Sequence, residues 1–492
     1  MWSELGDNVY DIIYKQYLLL NLLVLVIKSI LPYNIEKLQI KIATNRMLHA
    51  KKACGRMIHM SEQQVETKVK TSKKVYFYVS ILYLLFMSDF ICRMGINSIF
   101  PVIQQDVGLT DPQVGMLGSV VLLSMSLFVL PISFLADKWS KKKSITLMSS
   151  VWAVSTMLFS VVSSFPLMLL CRLGVGSGNS AYAPTSTSLI TSWFPKEKWG
   201  RLLGVYNTAM PIGGAVGAIV CGTLATQYGW RTTVGIAAIF SFITVILSLF
   251  IPDTNRERVK KASNKVEKVA KSASQVTVKS AVKVLGKNRT LIFVCMAAGC
   301  FNFAASVGMT WTVMWYVRDV GLSMAFAATV VGVTSLIGAT MYPIGGIILD
   351  KWYKKDIRCR VYFPAITYTL RGIIGMVAFA TQNVVLVVVA ATVIQLAVSC
   401  GHAANQELVP KQFKTMSYGV YVVFLQALGA FGPAVAGLLV PIMGLGNMLV
   451  ASQVIYFISA GFFLLASLSY VKDFNKARKM EKEFETAEAL EA

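Results

Sequence analysis

The chain has 492 residues, of which 55% are hydrophobic and only 14% charged, and its formal net charge is +23. A soluble domain carries about 25% charged residues, so a soluble fold of this size has no way to bury so much apolar chain, and a bilayer is the solvent that suits it. The positive balance does not indicate nucleic acid, because the Lys and Arg sit in short clusters between apolar runs and no basic patch is interleaved with aromatics.

Residues 1–74 form an N-terminal extension. Its apolar stretch Leu18–Ile27 is bracketed by Lys15 and Lys28, is too short to cross a bilayer, and lacks the small-residue cleavage site of a signal peptide. An interfacial helix is one reading. The preferred expectation is that translation starts at Met60, with Gly55-Arg56-Met57 as the in-frame trace of a purine-rich ribosome-binding tract and Met60 to Lys74 as a short polar lead-in.

From Val75 onward, apolar segments follow near 76–98, 113–135, 144–163, 166–190, 202–225 and 231–251, then near 290–316, 325–349, 361–380, 384–407, 416–440 and 448–470. Several are interrupted by Gly or Pro, as membrane helices tolerate. The expected fold is an all-α membrane protein with twelve transmembrane helices in two pseudo-symmetric six-helix bundles, 75–252 and 289–472. A Lys- and Ser-rich linker at 253–288 joins them, and a charged tail follows at 473–492.

The connecting segments alternate in charge. One set carries Lys138, Lys141, Lys142 and Lys143; Lys196, Lys198 and Arg201; Lys351, Lys354, Lys355, Arg358 and Arg360; and Lys411 and Lys414. The other set holds only Arg231 and Arg318. By the positive-inside rule the crowded loops and both termini face the cytoplasm of a cell membrane. Six of the cysteines lie inside apolar runs without a CxxC pair, and His49, His59 and His402 are too scattered for a metal motif. No metal and no cofactor is therefore expected.

The halves repeat. Asp106-Val107-Gly108-Leu109-Thr110 matches Asp319-Val320-Gly321-Leu322-Ser323, and Asp137-Lys138-Trp139 matches Asp350-Lys351-Trp352, both 213 positions apart. Gly204-Val205-Tyr206 matches Gly419-Val420-Tyr421, 215 apart. An even number of spans per half makes these parallel repeats about an axis normal to the membrane, which suits alternating access around a midplane site.

Four motifs in order resemble the major facilitator superfamily. Phe134 to Lys143 is similar to that family's loop motif between spans 2 and 3, with Ser133 and Ser140 where the family has Gly, and Gly345 to Lys355 is its second copy. Arg172-Leu173-Gly174-Val175-Gly176-Ser177-Gly178 resembles its fourth-span element, and Met210 to Gly217 its Gly/Pro-rich fifth-span motif. Cys92 to Asn97, with Trp193-Phe194-Pro195 and Gly229-Trp230-Arg231, resembles the anion:cation symporter branch; lipid-transporting spinster-type relatives come second. The resemblance implies organic-anion transport with a first-span Arg serving the anion. One departure stands out: the branch's fourth-span Glu is Asn179 here, which cannot take up and release a proton.

Ionisable groups at membrane depth are costly and mark function. Asp89, Arg93 and Asn97 share one face of span 1 at i, i+4, i+8, and Arg93 offers a planar fork for an anion. Arg172 and Asn179 in span 4, Tyr206 and Asn207 in span 5, Asn302 and Trp311 in span 7, His402 in span 10 and Gln426 in span 11 complete the candidate substrate-binding set. Asp137, Lys138 and Lys142, with Asp350, Lys351 and Lys355, are candidate gating charges, forming a latch that breaks when the cytoplasmic side opens. Gly204, Gly213, Gly214, Gly217 and Gly222, with Gly429, Gly432 and Gly437 opposite, are read as small positions that let the bundles slide.

The leading reading is a monomeric secondary transporter of a small organic anion, with H⁺ or Na⁺ as coupling ion. An exporter of amphipathic drugs or lipids is the alternative, for which Arg93 should be tied up by Asp89 in a mostly apolar cavity. A non-transporting membrane sensor comes third. No nucleophile elbow, HExxH or catalytic carboxylate pair indicates an enzyme.

Overall fold

The computed structural model describes residues 73–194, 198–252, 288–410 and 413–491, and among these the regular elements are helical. The expected start at Met60, the extension before it, most of the 253–288 linker, Lys196 and Lys411 lie outside the described residues, as do the side chains of Asp137 and Lys138.

Span 1 is Lys73–Ser98, continued by the short helix Phe100–Val107. Span 2 is Asp111–Lys138 and span 3 is Lys141–Val161. Span 4 is broken into Phe165–Asn179 and Tyr182–Trp193. Span 5 comprises Trp199–Asn207 and the first part of Ala209–Ser248; the part after Gly229 is span 6. In the second half, span 7 is Arg289–Arg318, span 8 Met324–Tyr353 and span 9 Cys359–Ala380. Span 10 is Val384–Val393 and Val398–Glu407 around a 3-10 turn, span 11 Lys414–Met443, and span 12 Leu445–Ser452 with Val454–Glu491.

Among the described residues, ten helical stretches are long and apolar enough to cross a bilayer. The twelve expected crossings follow once span 4, whose two pieces are each too short, is counted, and spans 5 and 6 are separated at Gly229. The break is conformational: Gly229 at φ 77°, ψ 162° and Gly444 at φ 83°, ψ 159° occupy a region essentially reserved for glycine. They stand 215 positions apart. Gly108 and Gly321, 213 apart, also have positive φ, of 72° and 76°. The four glycines with positive φ among the described residues thus pair by the internal repeat.

The repeat extends to what pins these turns. Asp106 accepts a hydrogen bond from Trp230 Nε1 at 2.8 Å and pairs with Arg231, tying the end of span 1 to the start of span 6. Its counterpart Asp319 takes the backbone N–H of Gly446, at the start of span 12. The Trp230 indole and then the Arg231 guanidinium hold the Asp106 carboxyl below its ordinary range. Partial burial pushes that of Asp319 up.

The two bundles meet through spans 2 and 11 and through spans 5 and 8. A Cβ on Gly437 would stand 2.7 Å from the Asp111 carbonyl and 3.2 Å from Gly115 Cα; one on Gly222 would run into Ala328 Cβ. Gly222 matches Gly437 at offset 215 and Gly115 matches Ala328 at 213, so the two crossings are pseudo-symmetric mates. The remaining small residues do other work. Gly213, Gly214 and Gly217 let span 5 approach span 1 at Met87, Phe90, Ile91 and Met94, and Gly429 and Gly432 let span 11 approach span 7 at Asn302, Phe303 and Ser306. These contacts lie within a bundle, and Gly204 has open space around it. The expectation that all eight form a sliding surface between bundles is thus corrected to Gly222 and Gly437, because each helix packs on two neighbours and sequence periodicity does not say which face meets which.

Candidate functional site

A small, partly open cavity lies between the halves. Spans 1, 2 and 4 supply Arg93, Asn97, Gly118, Val121 and Arg172, among others, and spans 7 and 11 supply Ser306, Met309, Thr310 and Pro433. Its polarity is one-sided. At offset 213 the counterparts of Arg93 and Asn97 are Ser306 and Thr310, so one half presents cations and the other hydroxyls.

Arg172 is 1% exposed. Its Nε donates to the Leu117 carbonyl at 3.1 Å and its Nη2 to Asn97 Oδ1 at 2.6 Å. Its Nη1 is buried without a hydrogen-bond partner, and among the described residues no carboxylate pairs with it. A buried cation without a counter-ion is expensive. Phe100 lies under the guanidinium at 5.4 Å.

Arg93 is differently held. Its Nε stands 3.1 Å from Asp89 Oδ2, close enough for an ion pair though without hydrogen-bond alignment. Its Nη1 meets Met125 Sδ at 3.5 Å, and its guanidinium lies 4.3 Å from the centre of the Phe90 ring. Asp89 is completely buried behind it, with Oδ2 accepting from Asn179 Nδ2 at 2.7 Å and Oδ1 unpartnered.

Of the candidate set, then, Arg93, Asn97 and Arg172 line the cavity, and Asp89 and Asn179 back Arg93. Tyr206 is in the first bundle's core, bonded to Ser186 Oγ at 2.6 Å and stacked on Phe86. Asn207 is exposed. Asn302 donates to the Leu425 carbonyl and fully buried Trp311 to that of Pro433, both joining span 7 to span 11. His402 packs against the rings of Tyr418 and Tyr421, and Gln426 is half-buried on span 11. None of these last six lines the cavity. Sequence reasoning missed Ser306, Thr310 and Met309; shifting Arg93 and Asn97 by the repeat offset would have found the first two.

On the cation-poor side the halves are bridged. Arg318 of span 7 pairs with Asp111 of span 2 at 2.9 Å and also donates to Gln104, whose amide donates to Asp111 at 2.8 Å. On the cation-rich side several contacts lie within one half. Lys142 donates to the Leu249 carbonyl at the end of span 6, and Lys141 to Ser188. Asp350 is exposed at the end of span 8, beside Lys351 and near Lys355. Glu407 pairs with Arg360 at 3.1 Å and accepts from Tyr470 at 2.8 Å. Arg371 is buried beside the Tyr456 ring, 5.2 Å from its centre.

Two pseudo-symmetric six-span bundles around a central polar cavity define a multi-pass membrane transporter. The chain belongs to the Major Facilitator Superfamily, whose profile matches residues 82–389. It is 24% identical over 405 residues to a hexuronate transporter of Bacillus subtilis, covering 80% of this chain and 93% of that one. It is 22% identical over 318 residues to a probable sulfoacetate transporter of Cupriavidus necator, covering 64% and 73%. A probable galactarate/D-glucarate transporter of Bacillus subtilis matches at 24% over 404 residues, covering 77% and 88%. Among solved structures, a bacterial homolog to the human lysosomal transporter Spinster, inward-facing and unoccupied, superposes with a TM-score of 0.70 at 19% identity over 82% of this chain and 99% of that one. A D-xylose-proton symporter does so at 0.60 and 15%, over 80% and 96%.

Proposed function

We propose that the protein is a secondary transporter of a small organic anion, a polyhydroxylated carboxylate, moved by alternating access. The observation that carries this is Arg172: a buried guanidinium in the cavity wall whose Nη1 has no partner and which, among the described residues, has no counter-ion. A carboxylate supplies the missing acceptor, and the opposed Ser306 and Thr310 suit hydroxyl groups at the other end of the molecule. The named substrates of the similar proteins, hexuronate and galactarate or glucarate, have this chemistry. The cation-rich loops are cytoplasmic in this reading, so the Arg318–Asp111 bridge closes the outer side and the cavity belongs to an inward-facing state. The cationic loop motif with Asp137 and Lys138 is the inner counterpart that forms when the transporter turns outward.

Two observations favour a second reading, transport of an amphipathic anion. Arg93 is already paired with Asp89, and Met94, Val121, Leu122 and Met309 make part of the wall apolar.

Proteoliposome counterflow decides between them. Labelled D-glucuronate should exchange with galactarate and sulfoacetate but not with xylose, and Arg172→Gln should raise the anion concentration needed about ten- to hundred-fold. Equal exchange of an uncharged sugar, or an unaffected variant, would sink the anion reading. Competition only by long-chain anions would establish the second.

A further inference from the structure

We propose that Asn97 determines the substrate class by reading the oxygen next to the carboxylate: the transported anion carries a hydroxyl or ring-ether oxygen on the carbon α to its acid group. The inference rests on the anion reading above and narrows it.

The orientation of the Asn97 amide is fixed by chemistry. A guanidinium has only donors, so the atom that meets Arg172 Nη2 at 2.6 Å is the carbonyl Oδ1, and Nδ2 is left over. Nδ2 makes no hydrogen bond among the described residues and is not sealed within the protein. Asn97 lines the cavity, so its amide N–H groups are offered there. The backbone holds it in place. Asn97 stands on the last turn of span 1, which stops at Ser98, and Pro101 lacks the N–H that would bond the Asn97 carbonyl in a continuous helix.

Position decides which substrate atom Asn97 meets. The Arg172 guanidinium bonds both Asn97 and the Leu117 carbonyl, which leaves Nη1 for the carboxylate. Asn97 is thus joined to the group that takes the carboxylate. Its remaining N–H reaches an atom on the neighbouring carbon rather than the far end of the molecule. On the same turn of span 2 the other half closes in: a Cβ on Gly118 would stand 2.8 Å from Thr310 Oγ1 and 3.2 Å from Pro433 Cβ. Thr310 is the mate of Asn97 at offset 213, so the two halves converge beside the Leu117–Gly118 turn, where the head of the anion sits.

The donor character of Nδ2 then sets the class. It accepts nothing, so it needs an acceptor from the ligand, and a hydroxyl oxygen or the ring oxygen of a cyclic hexuronate serves equally. An acid with a bare methylene beside its carboxylate leaves that N–H unmet. A site built to bond a substrate oxygen discriminates against the analogue without it for this reason. Sulfoacetate has such a methylene, so it should exchange only at higher concentration than the sugar acids.

The test uses the full chain in proteoliposomes, with labelled D-glucuronate counterflow and two competitors that differ only at the α-carbon, D-gluconate and 2-deoxy-D-gluconate. D-gluconate should inhibit at a concentration about three- to ten-fold lower, the worth of one neutral hydrogen bond. In Asn97→Ala that ratio should fall to about one, because the donor is gone, while glucuronate exchange persists with a raised KM. The assignment is overturned if both acids inhibit the wild type equally. It is also overturned if Asn97→Ala weakens both acids and keeps their ratio, since a residue that only positions Arg172 would do that. Should Asn97→Ala fail to fold, Asn97→Ser serves: its side chain is too short to reach the ligand, so the ratio should collapse in the same way, and a retained ratio refutes the assignment. Absence of exchange with every anion would instead remove the anion reading, and this proposal with it.

Discussion

Arg318 Nη1 stands 2.9 Å from Asp111 Oδ1, joining the end of span 7 to the start of span 2 across the two halves. The arginine side chain is 32% exposed and the aspartate 19%, so the pair is worth about 0.2–1 kcal/mol. That is enough to move a conformational equilibrium up to about five-fold. Asp111→Asn should raise the rate at which a cysteine at Met309, on the cavity wall, is labelled by an impermeant maleimide from the cation-poor side. Arg318→Gln should do the same, and unchanged labelling in both would deny the bridge a gating role.

Arg172 makes two hydrogen bonds to protein while its Nη1 is buried without a partner, the group that would meet the anion in the proposed function. A charge-assisted bond contributes about 1.5–3 kcal/mol. Arg172→Gln should therefore raise the anion's KM about ten- to hundred-fold. Arg172→Lys should recover little, because a single ammonium cannot reproduce the fork that spans Leu117, Asn97 and the ligand.

The two close crossings should respond differently from an open glycine. Gly437→Ala places a methyl 2.7 Å from the Asp111 carbonyl, and Gly222→Ala drives one into Ala328. Both should slow transport several-fold by holding the halves apart. Gly204→Ala meets nothing within 4 Å inside a helix, so it should leave transport intact and raise thermal stability by up to about 1 kcal/mol. Equal effects from all three would show that the crossings do not govern closure.

Gly229→Ala and Gly444→Ala force a side chain into a glycine-only conformation, at a cost of about 1–3 kcal/mol each. Both should lower the melting temperature in detergent by similar amounts. A large effect from one alone would mean that the two turns are not equivalent.

Asp106 is held below its ordinary range by Trp230 and Arg231, so its contribution is present above the unfolded value of about 3.9 and fades as pH falls through the folded one. Asp106→Ala should therefore lower the melting temperature at pH 7. The gap between variant and wild type should narrow as the pH falls below the ordinary carboxylate range. A gap that widened on acidification would contradict the assignment.

Much of this architecture could be read directly. Hydropathy marked the crossings, and a bilayer makes that signal strong, since every spanning helix must be apolar along about 20 residues. The repeat was legible because both turn glycines and their aspartates recur. The broken span 4 was marked too: Pro184 lacks the N–H that would bond the Ser180 carbonyl and its ring crowds that oxygen, so the helix gives way at Ser180–Ala181.

The site was legible in part. Sequence alone determined that cations lie within the first half, because a helix of fixed pitch must place Asp89, Arg93 and Asn97 on one face. Which of them is free was a tertiary matter. Glu407 had nearby lysines in sequence yet pairs with Arg360, 47 positions away, and Arg172 bonds Asn97, 75 positions away. Long side chains choose partners by where neighbouring helices put acceptors, and that depends on which faces the glycines bring together. Only the folded bundle could show that Arg93 is paired with Asp89 while Arg172 Nη1 is buried without a partner.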